Sequence, residues 1–415
     1  MSKRIAAIVF IWLCTTVAWI VLGETIFSRT YSSDEKLQSR VGSTWGTKQE
    51  QGPPWVHYSR NEPRLVEIES NGKKTVRTEH VLVSNSLPLE SSQINVDLGL
   101  SHRQKGLLWY STYMVKFAGV FSFTNNSSDE QMVTFSLPFP AQQAIYDGLI
   151  MEVNGRPLPL STNSSSASGQ TAVKAGETAI LRVGYRSQGM DAWNYKLGDD
   201  VAQAKNFSLN MTTNFKDIDF ATNTLSPTEK HQTAHGWELT WKYVNLLSGF
   251  QIGMSMPEKL QPGPLAGQIS YFAPVSLFFF FFLIFILTTL RNIDVHPMNY
   301  FFLAGAFFAF HLLLAYLVDH ISIHLAFVIC SVVSIFLVIS YLRLVIGMRF
   351  AALEAGTAQL VYLVLFSYAF FFKGFTGLAI TIGAIITLFV VMQATGRIKW
   401  SEKFASYGAT PLPVR

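Results

Sequence analysis

The sequence predicts an α+β membrane protein, in which an antiparallel β-sandwich-like domain is inserted between an N-terminal transmembrane anchor and a C-terminal five-helix transmembrane bundle. Three observations carry that expectation. Apolar residues make up 49% of the 415-residue chain, yet they gather in long runs at residues 5–22 and 269–396, whereas residues 24–265 have the mixed composition of a water-soluble domain. Inside that middle region, short segments alternate apolar and polar residues, as half-buried strands do. Basic residues gather on alternate connections between the apolar runs, the pattern left by membrane insertion. The chain then divides into an anchor (1–23), a β-rich domain (24–265), a five-span bundle (266–400) and a tail (401–415).

Lys3 and Arg4 precede the apolar run Ile5 to Leu22. That run exceeds the roughly 7–15-residue core of a secretory signal, so a retained anchor is expected although Val21 and Gly23 would suit a cleavage site. Leu13 before Cys14 fits a lipoprotein site poorly. Residues 24–90 are polar and broken by Gly52, Pro53, Pro54 and the turn-like Asn71-Gly72, which predicts a membrane-proximal stalk followed by short strands and loops. From Tyr113 the period of two is clear in Tyr113, Val115, Phe117, Phe121 and Phe123. It recurs in Val133 to Phe139, Leu181 to Tyr185, Phe207 to Met211, Trp237 to Tyr243 and Phe250 to Met256. Asn154-Gly155 is a two-residue hairpin turn, since both residue types tolerate positive φ. The stretch STNSSSASGQ, residues 161–170, reads as an exposed and mobile connection. Both cysteines, Cys14 and Cys330, fall inside predicted spans, so disulfides have no part in the middle domain.

Pro257, Pro262 and Pro264 mark a stiff linker, PEKLQPGPLAGQ, ahead of spans expected at 270–290, 298–318, 323–342, 352–372 and 376–396. Along the chain the connections bear Arg291, then Asp319 and His320, then Arg343 and Arg349, then Lys373, then Arg397, Lys399 and Lys403, so that basic residues cluster on every second one. With six spans, both termini are expected in the cytoplasm and residues 24–265 on the far side, the periplasm of a bacterium. The net charge of +5 sits largely beside the spans, so nucleic acid is not an expected partner; the lipid bilayer is.

Candidate functional residues are few. His311 lies deep in its span, where an ionisable group needs either a partner or a role. The structural alternative is a neutral imidazole hydrogen-bonded to a neighbouring helix. Glu354 is expected within one or two turns of the cytoplasmic face, where it either snorkels or forms a clamp with Arg343 or Arg349. Asp294 and His296 precede the second bundle span, on the opposite side of the membrane from Asp319, His320 and His324, so the five cannot form one metal site. Neither a metal nor another cofactor is expected. Arg103 and Trp109, with His102, Lys105, Tyr110 and Tyr113 nearby, form a basic and aromatic group suited to an envelope glycan or an anionic lipid headgroup; the alternative is that the aromatics fill the core. Phe278 to Phe282 cover every side of a helix and suit lipid contact and packing. Gly305 with Ala309, and Ala379 with Gly383, have the spacing of close helix packing. HExxH, GxSxG, P-loop and GxGxxG signatures are missing, and the chain is expected not to be an enzyme.

The run APVSLFFFFFLIFILTTL, then VHPMNYFFLAGAFFAFHLLLAYLVDH, then SYLRLVIG resembles the multi-span C-terminal half of the CreD family, with His296 to Tyr300, His-Pro-Met-x-Tyr, the most specific element. RQKGLLWYSTY (103–113) and TTNFKDIDF (212–220) are similar to CreD-like proteins in the middle domain. The resemblance implies a bacterial inner-membrane protein serving cell-envelope integrity and stress response, and it implies no catalytic residues. The expected function is therefore a non-enzymatic envelope protein whose β-domain senses or binds an envelope component, a glycan, a lipid or another membrane protein. A transporter or channel subunit built on the bundle and a membrane-tethered periplasmic hydrolase are the alternatives.

Overall fold

The computed structural model describes residues 2–70, 73–142, 144–198, 201–372 and 374–396. It forms two units, one of strands (Lys36–Lys105 and Trp109–Lys259) and one of helices (Met1–Glu35, Gly106–Leu108 and Leu260–Arg415). The fold class is α+β, with an antiparallel-rich sheet unit and several long apolar helices.

The first helix, α1 (Ser2–Trp45), runs well past the expected end of the anchor. In place of the stalk and short strands expected over 24–90, the helix gives way to β1 (Gln49–Gln51) and two long strands, β2 (Trp55–Ser70) and β3 (Lys73–Ser86). β2 pairs with β3 from His57 to Ser70 but with a second neighbour only at Trp55 to Tyr58. From Ser59 to Leu65 every residue is exposed, so neither face carries the apolar alternation that marks a strand in sequence. Asn71-Gly72, the expected turn, lies outside the described residues.

The remaining strands are β4 (Leu89–Lys105), β5 (Leu108–Thr124), β6 (Gln131–Pro138), β7 (Tyr146–Val153), β8 (Arg156–Pro157), β9 (Ser161–Thr162), β10 (Ser166–Val173), β11 (Thr178–Met190), β12 (Ala192–Tyr195), β13 (Ala202–Thr213), β14 (Glu229–Gln232), β15 (Trp237–Ser248) and β16 (Ile252–Ser255). They form an eight-stranded sheet ordered β14-β15-β13-β4-β5-β11-β7-β8, a five-stranded sheet β3-β2-β6-β10-β9, and a small sheet β1-β12-β16. Two pairings, β4 with β13 and β1 with β12, are parallel, so the unit is antiparallel-rich and not wholly antiparallel.

The alternation beginning at Tyr113 places Tyr113, Val115, Phe117, Phe121 and Phe123 in one core with Val133, Phe135, Leu181, Leu209 and Trp241. Phe123 of the large sheet meets Phe135 of the five-stranded sheet edge to face, with centroids 6.2 Å apart, so the inner faces of the two sheets pack together. Gly119 continues the inward series without a side chain; a Cβ there would lie 2.5 Å from the Phe121 ring. Asn154 and Gly155 have φ of 52° and 76° and join β7 to β8 as the hairpin expected. Residues 161–170, expected to be a mobile connection, belong largely to β9 and β10. Ala167 is fully buried, and small residues such as Ala167 and Gly169 leave little hydrophobic pattern in the sequence.

The helical unit holds α2 (Pro262–Leu290), α3 (Pro297–Leu317), α4 (Ile323–Val345), α5 (Phe350–Phe371) and α6 (Thr376–Thr395). With the segment Lys3–Tyr31 of α1, six described helices are long and apolar enough to cross a membrane. The expected linker after Pro257 ends at Pro262, which opens α2, where a proline's missing N–H costs nothing. Gly263 and Gly267 on its first turns face α1: a Cβ would lie 2.6 Å from Thr30 Oγ1 at Gly263 and 2.9 Å from the Phe27 ring at Gly267. Trp12 Nε1 donates to the Pro274 carbonyl at 3.0 Å, and Trp19 is fully buried against Phe308. At Gly305 and Gly383, the expected close-packing positions, an added Cβ would meet no atom within 4 Å, so their small side chains open grooves and do not seat a neighbouring helix.

Candidate functional site

The ionisable residues of the helical unit collect at its two ends. Arg4, one turn into α1, lies 3.3 Å from Asp294 in the connection between α2 and α3. Arg291, which caps the C-terminus of α2, pairs with Glu354 in the first turns of α5. A cation at a helix C-terminus is favoured by the helix dipole, and Glu354 takes this partner in place of the expected Arg343 or Arg349. His296 caps α3: its Nδ1 accepts from the Met298 N–H at 3.2 Å, which gives this residue a structural task. At the other end, Arg29 of α1 donates to the Ala315 carbonyl at 2.8 Å, lies 3.4 Å from Asp319 and covers the Tyr316 ring at 5.5 Å. Sequence reasoning missed Arg29, because nothing in the residues after the anchor signals that the helix continues.

Two polar centres lie deeper. His311 is buried, with Nδ1 3.0 Å from the Phe307 carbonyl one turn earlier and its ring among Trp19, Phe307 and Phe310. A carbonyl only accepts, so Nδ1 carries the hydrogen of this bond. Its Nε2 and the indole N–H of Trp19 have no hydrogen-bond partner among the described residues. The second centre is a relay from Gln359 Nε2 to Ser334 Oγ at 2.8 Å, and from Ser334 Oγ to the Ala306 carbonyl at 2.7 Å. It fastens α5 to α4 and α4 to α3. Nothing in the sequence marks Ser334 as the partner of Gln359.

In the β unit, the expected basic and aromatic residues have these partners: Arg103 lies 3.2 Å over the ring of Trp45, Lys259 lies 4.1 Å over the ring of Trp109, and Tyr110 and Tyr113 are buried. The same unit holds a buried polar seam. Tyr185 donates to Gln51 Oε1 at 2.6 Å, Gln49 Nε2 to Ser187 Oγ at 2.8 Å, and Tyr113 to the Ala192 carbonyl at 2.8 Å. Burial holds the phenols of Tyr113, Tyr185 and Tyr195 well above the ordinary tyrosine range and pushes Tyr146 up to about 12. Tyr113 and Tyr185 donate the bonds that fix β12 and β1 to the large sheet, and Tyr146 donates to the Ala141 carbonyl. Among the described residues, no three His, Cys, Asp or Glu side chains gather as a metal cluster.

With this geometry in hand, comparison with known proteins gives one informative match. The family described as "Inner membrane protein CreD" matches residues 268–401, the block that holds the His-Pro-Met-x-Tyr element. The stretches 103–113 and 212–220 lie outside the match. No curated protein matches the chain. Among solved structures, a Legionella pneumophila protein described as nutrient binding is 11% identical, covering 56% of this chain and 76% of its own, with a TM-score of 0.35. An M1 zinc metallopeptidase from Deinococcus radiodurans is 11% identical, with 40% of this chain and 42% of its own covered and a TM-score of 0.26. The chain thus spans less than half of the peptidase. At such TM-scores neither likeness carries an argument about fold or activity.

Proposed function

We propose that this chain, a CreD-like membrane protein by its residues 268–401, contributes to cell-envelope integrity without catalysing a reaction of its own. Its helices anchor it in the inner membrane, and its β unit lies in the periplasm and binds an envelope component. The observation that carries the reading is where the charges of the bundle sit. Arg4 with Asp294 and Arg291 with Glu354 close one end, and Arg29 with Asp319 closes the other. Pairing the termini in this way fastens helices together. A transport path would instead need ionisable groups spread along its depth. Lys3, Arg4, Arg291, Arg343 and Arg349 share the end that the positive-inside rule assigns to the cytoplasm, which leaves the β unit outside.

The test is deletion and complementation. Loss of the protein should sensitise cells to detergent and to cell-wall antibiotics, and expression of the full chain should restore resistance. Unchanged survival of the deletion strain would remove the envelope role.

One observation favours a second reading, that the bundle forms a transporter or channel subunit: the unpartnered Nε2 of His311 beside the unpartnered indole N–H of Trp19. His311→Leu distinguishes the two. A well-inserted variant with full complementation supports anchoring, and one that inserts normally yet fails to complement supports transport.

A further inference from the structure

Trp55 stands at the surface of the β unit, 52% exposed, an unusual position for the largest apolar side chain in a folded unit. One face of its indole is covered by His57, stacked at a centroid distance of 5.0 Å and an interplanar angle of 15°. The stack fixes the ring. Beside it opens a cleft of about 400 Å³ whose walls include Pro53, Pro54 and Pro138, with the ion pair of Glu50 and Lys196 at one side. Prolines hold the backbone in one conformation, so the cleft needs little ordering when it is filled.

The chemistry narrows the ligand. A wall that offers one carboxylate and one ammonium, already paired, is balanced in charge and gives no advantage to a phosphate or to a cation. It does present an acceptor and a donor side by side, the match for two vicinal hydroxyls. An extended peptide has no free strand edge here, since the Glu50 N–H donates to the Pro140 carbonyl at 2.9 Å and β1 pairs with β12 on its other side. A neutral ring with an apolar face for the indole and a rim of hydroxyls for the ion pair meets every requirement. Convergent polar groups beside an exposed aromatic are the usual make-up of a small-ligand site.

We infer that the cleft at Trp55, Glu50 and Lys196 binds a neutral pyranose unit of an envelope glycan, stacked on Trp55 and hydrogen-bonded to the ion pair. The inference rests on the reading that the β unit binds an envelope component, and it names the class of that component. The same chemistry is offered by N-acetylhexosamine chains and by neutral hexose chains, so the test carries one arm for each.

The full chain in lipid nanodiscs is probed by saturation-transfer NMR with chitotetraose in one arm and cellotetraose in the other. Saturation is expected to reach the ring protons of at least one of them, and the arm that responds identifies the source. Trp55→Ala should weaken that affinity at least about tenfold, as loss of an aromatic anchor does, whereas Trp55→Phe keeps a stacking face and should stay within about threefold. Glu50→Gln paired with Lys196→Met should also weaken it. Because Trp55 is half exposed, its replacement leaves the core untouched. No transfer to either sugar, equal transfer to Trp55→Ala, or binding of a proline-rich peptide in place of both sugars overturns the inference. Those results leave the envelope reading itself standing, because that reading is decided by the deletion phenotype.

Discussion

The pair between Arg291 and Glu354 makes the fastening of the bundle quantitative. The Glu354 side chain is 18% exposed and that of Arg291 is 53% exposed, so the two partners bear very different desolvation costs. Arg291→Gln strands a mostly buried carboxylate, whose second oxygen already lacks a partner. Exposed pairs are worth about 0.2–1 kcal/mol and broken buried pairs about 3–5, so an intermediate loss of about 1–2 kcal/mol is expected. Glu354→Gln leaves an arginine that water can solvate and should cost about 0.5 kcal/mol. The double variant should then recover most of the stability lost in Arg291→Gln, since the orphaned charge is gone. Unfolding of the detergent-solubilised protein by increasing SDS, followed by circular dichroism, reads all three. If Glu354→Gln proved as damaging as Arg291→Gln, or if the two losses simply added, the pair would not be holding α5 to the end of α2.

Two other outcomes follow from the packing and the buried phenols. Gly263→Ala and Gly267→Ala should destabilise the helical unit by about 1–3 kcal/mol through crowding against Thr30 and Phe27, whereas Gly305→Ala and Gly383→Ala, with open space around them, should be neutral or gain up to about 1 kcal/mol of helix propensity; the same SDS titration checks this. In alkali, Tyr113, Tyr146, Tyr185 and Tyr195 keep their protons in the folded β unit while the unfolded chain ionises near 10, so the unfolded state binds fewer protons and stability falls as pH rises from about 10 towards 12. The chain has 15 tyrosines, and its exposed ones ionise first; far-ultraviolet circular dichroism with ultraviolet detection of tyrosinate should show the last phenols ionising together with loss of strand signal, and complete tyrosine ionisation with the strands intact would contradict the burial argument.

The apolar helices were legible because length and hydrophobicity alone define a span, and the inner strands because Phe117, Phe121, Phe135 and Trp241 repeat every second residue. Elements without an apolar period were not. β2 beyond Tyr58 is held by backbone pairing to β3 that leaves no side-chain pattern, and α1 continues to Trp45 through polar residues with no apolar period. Small residues misled in both directions: Gly263 and Gly267 sat in an apparent linker and mark the close approach to α1, while Gly305 and Gly383 had the right spacing and pack against nothing. Of the candidate residues, Asp294, His296, Glu354, Arg103 and Trp109 each prove to have a local structural partner. Partner choice depends on which helix ends and strand edges meet, and that is set by the fold as a whole. His311 bonds to Phe307 one turn back on its own helix, where a bond to a neighbouring helix was the structural expectation. Trp55 was invisible as a site because its exposure is a property of the fold.

Engineered cysteines test most directly the proposed topology, in which the helices cross the inner membrane and the β unit lies in the periplasm. In a Cys14→Ser, Cys330→Ser background, which removes both native thiols, Ala175→Cys probes an exposed turn of the β unit and Met348→Cys the exposed connection between α4 and α5. A membrane-impermeant maleimide applied to intact cells with a permeable outer membrane should label Ala175→Cys at once and Met348→Cys only after the inner membrane is opened. Protection of Ala175→Cys in intact cells, or labelling of Met348→Cys, would contradict the account.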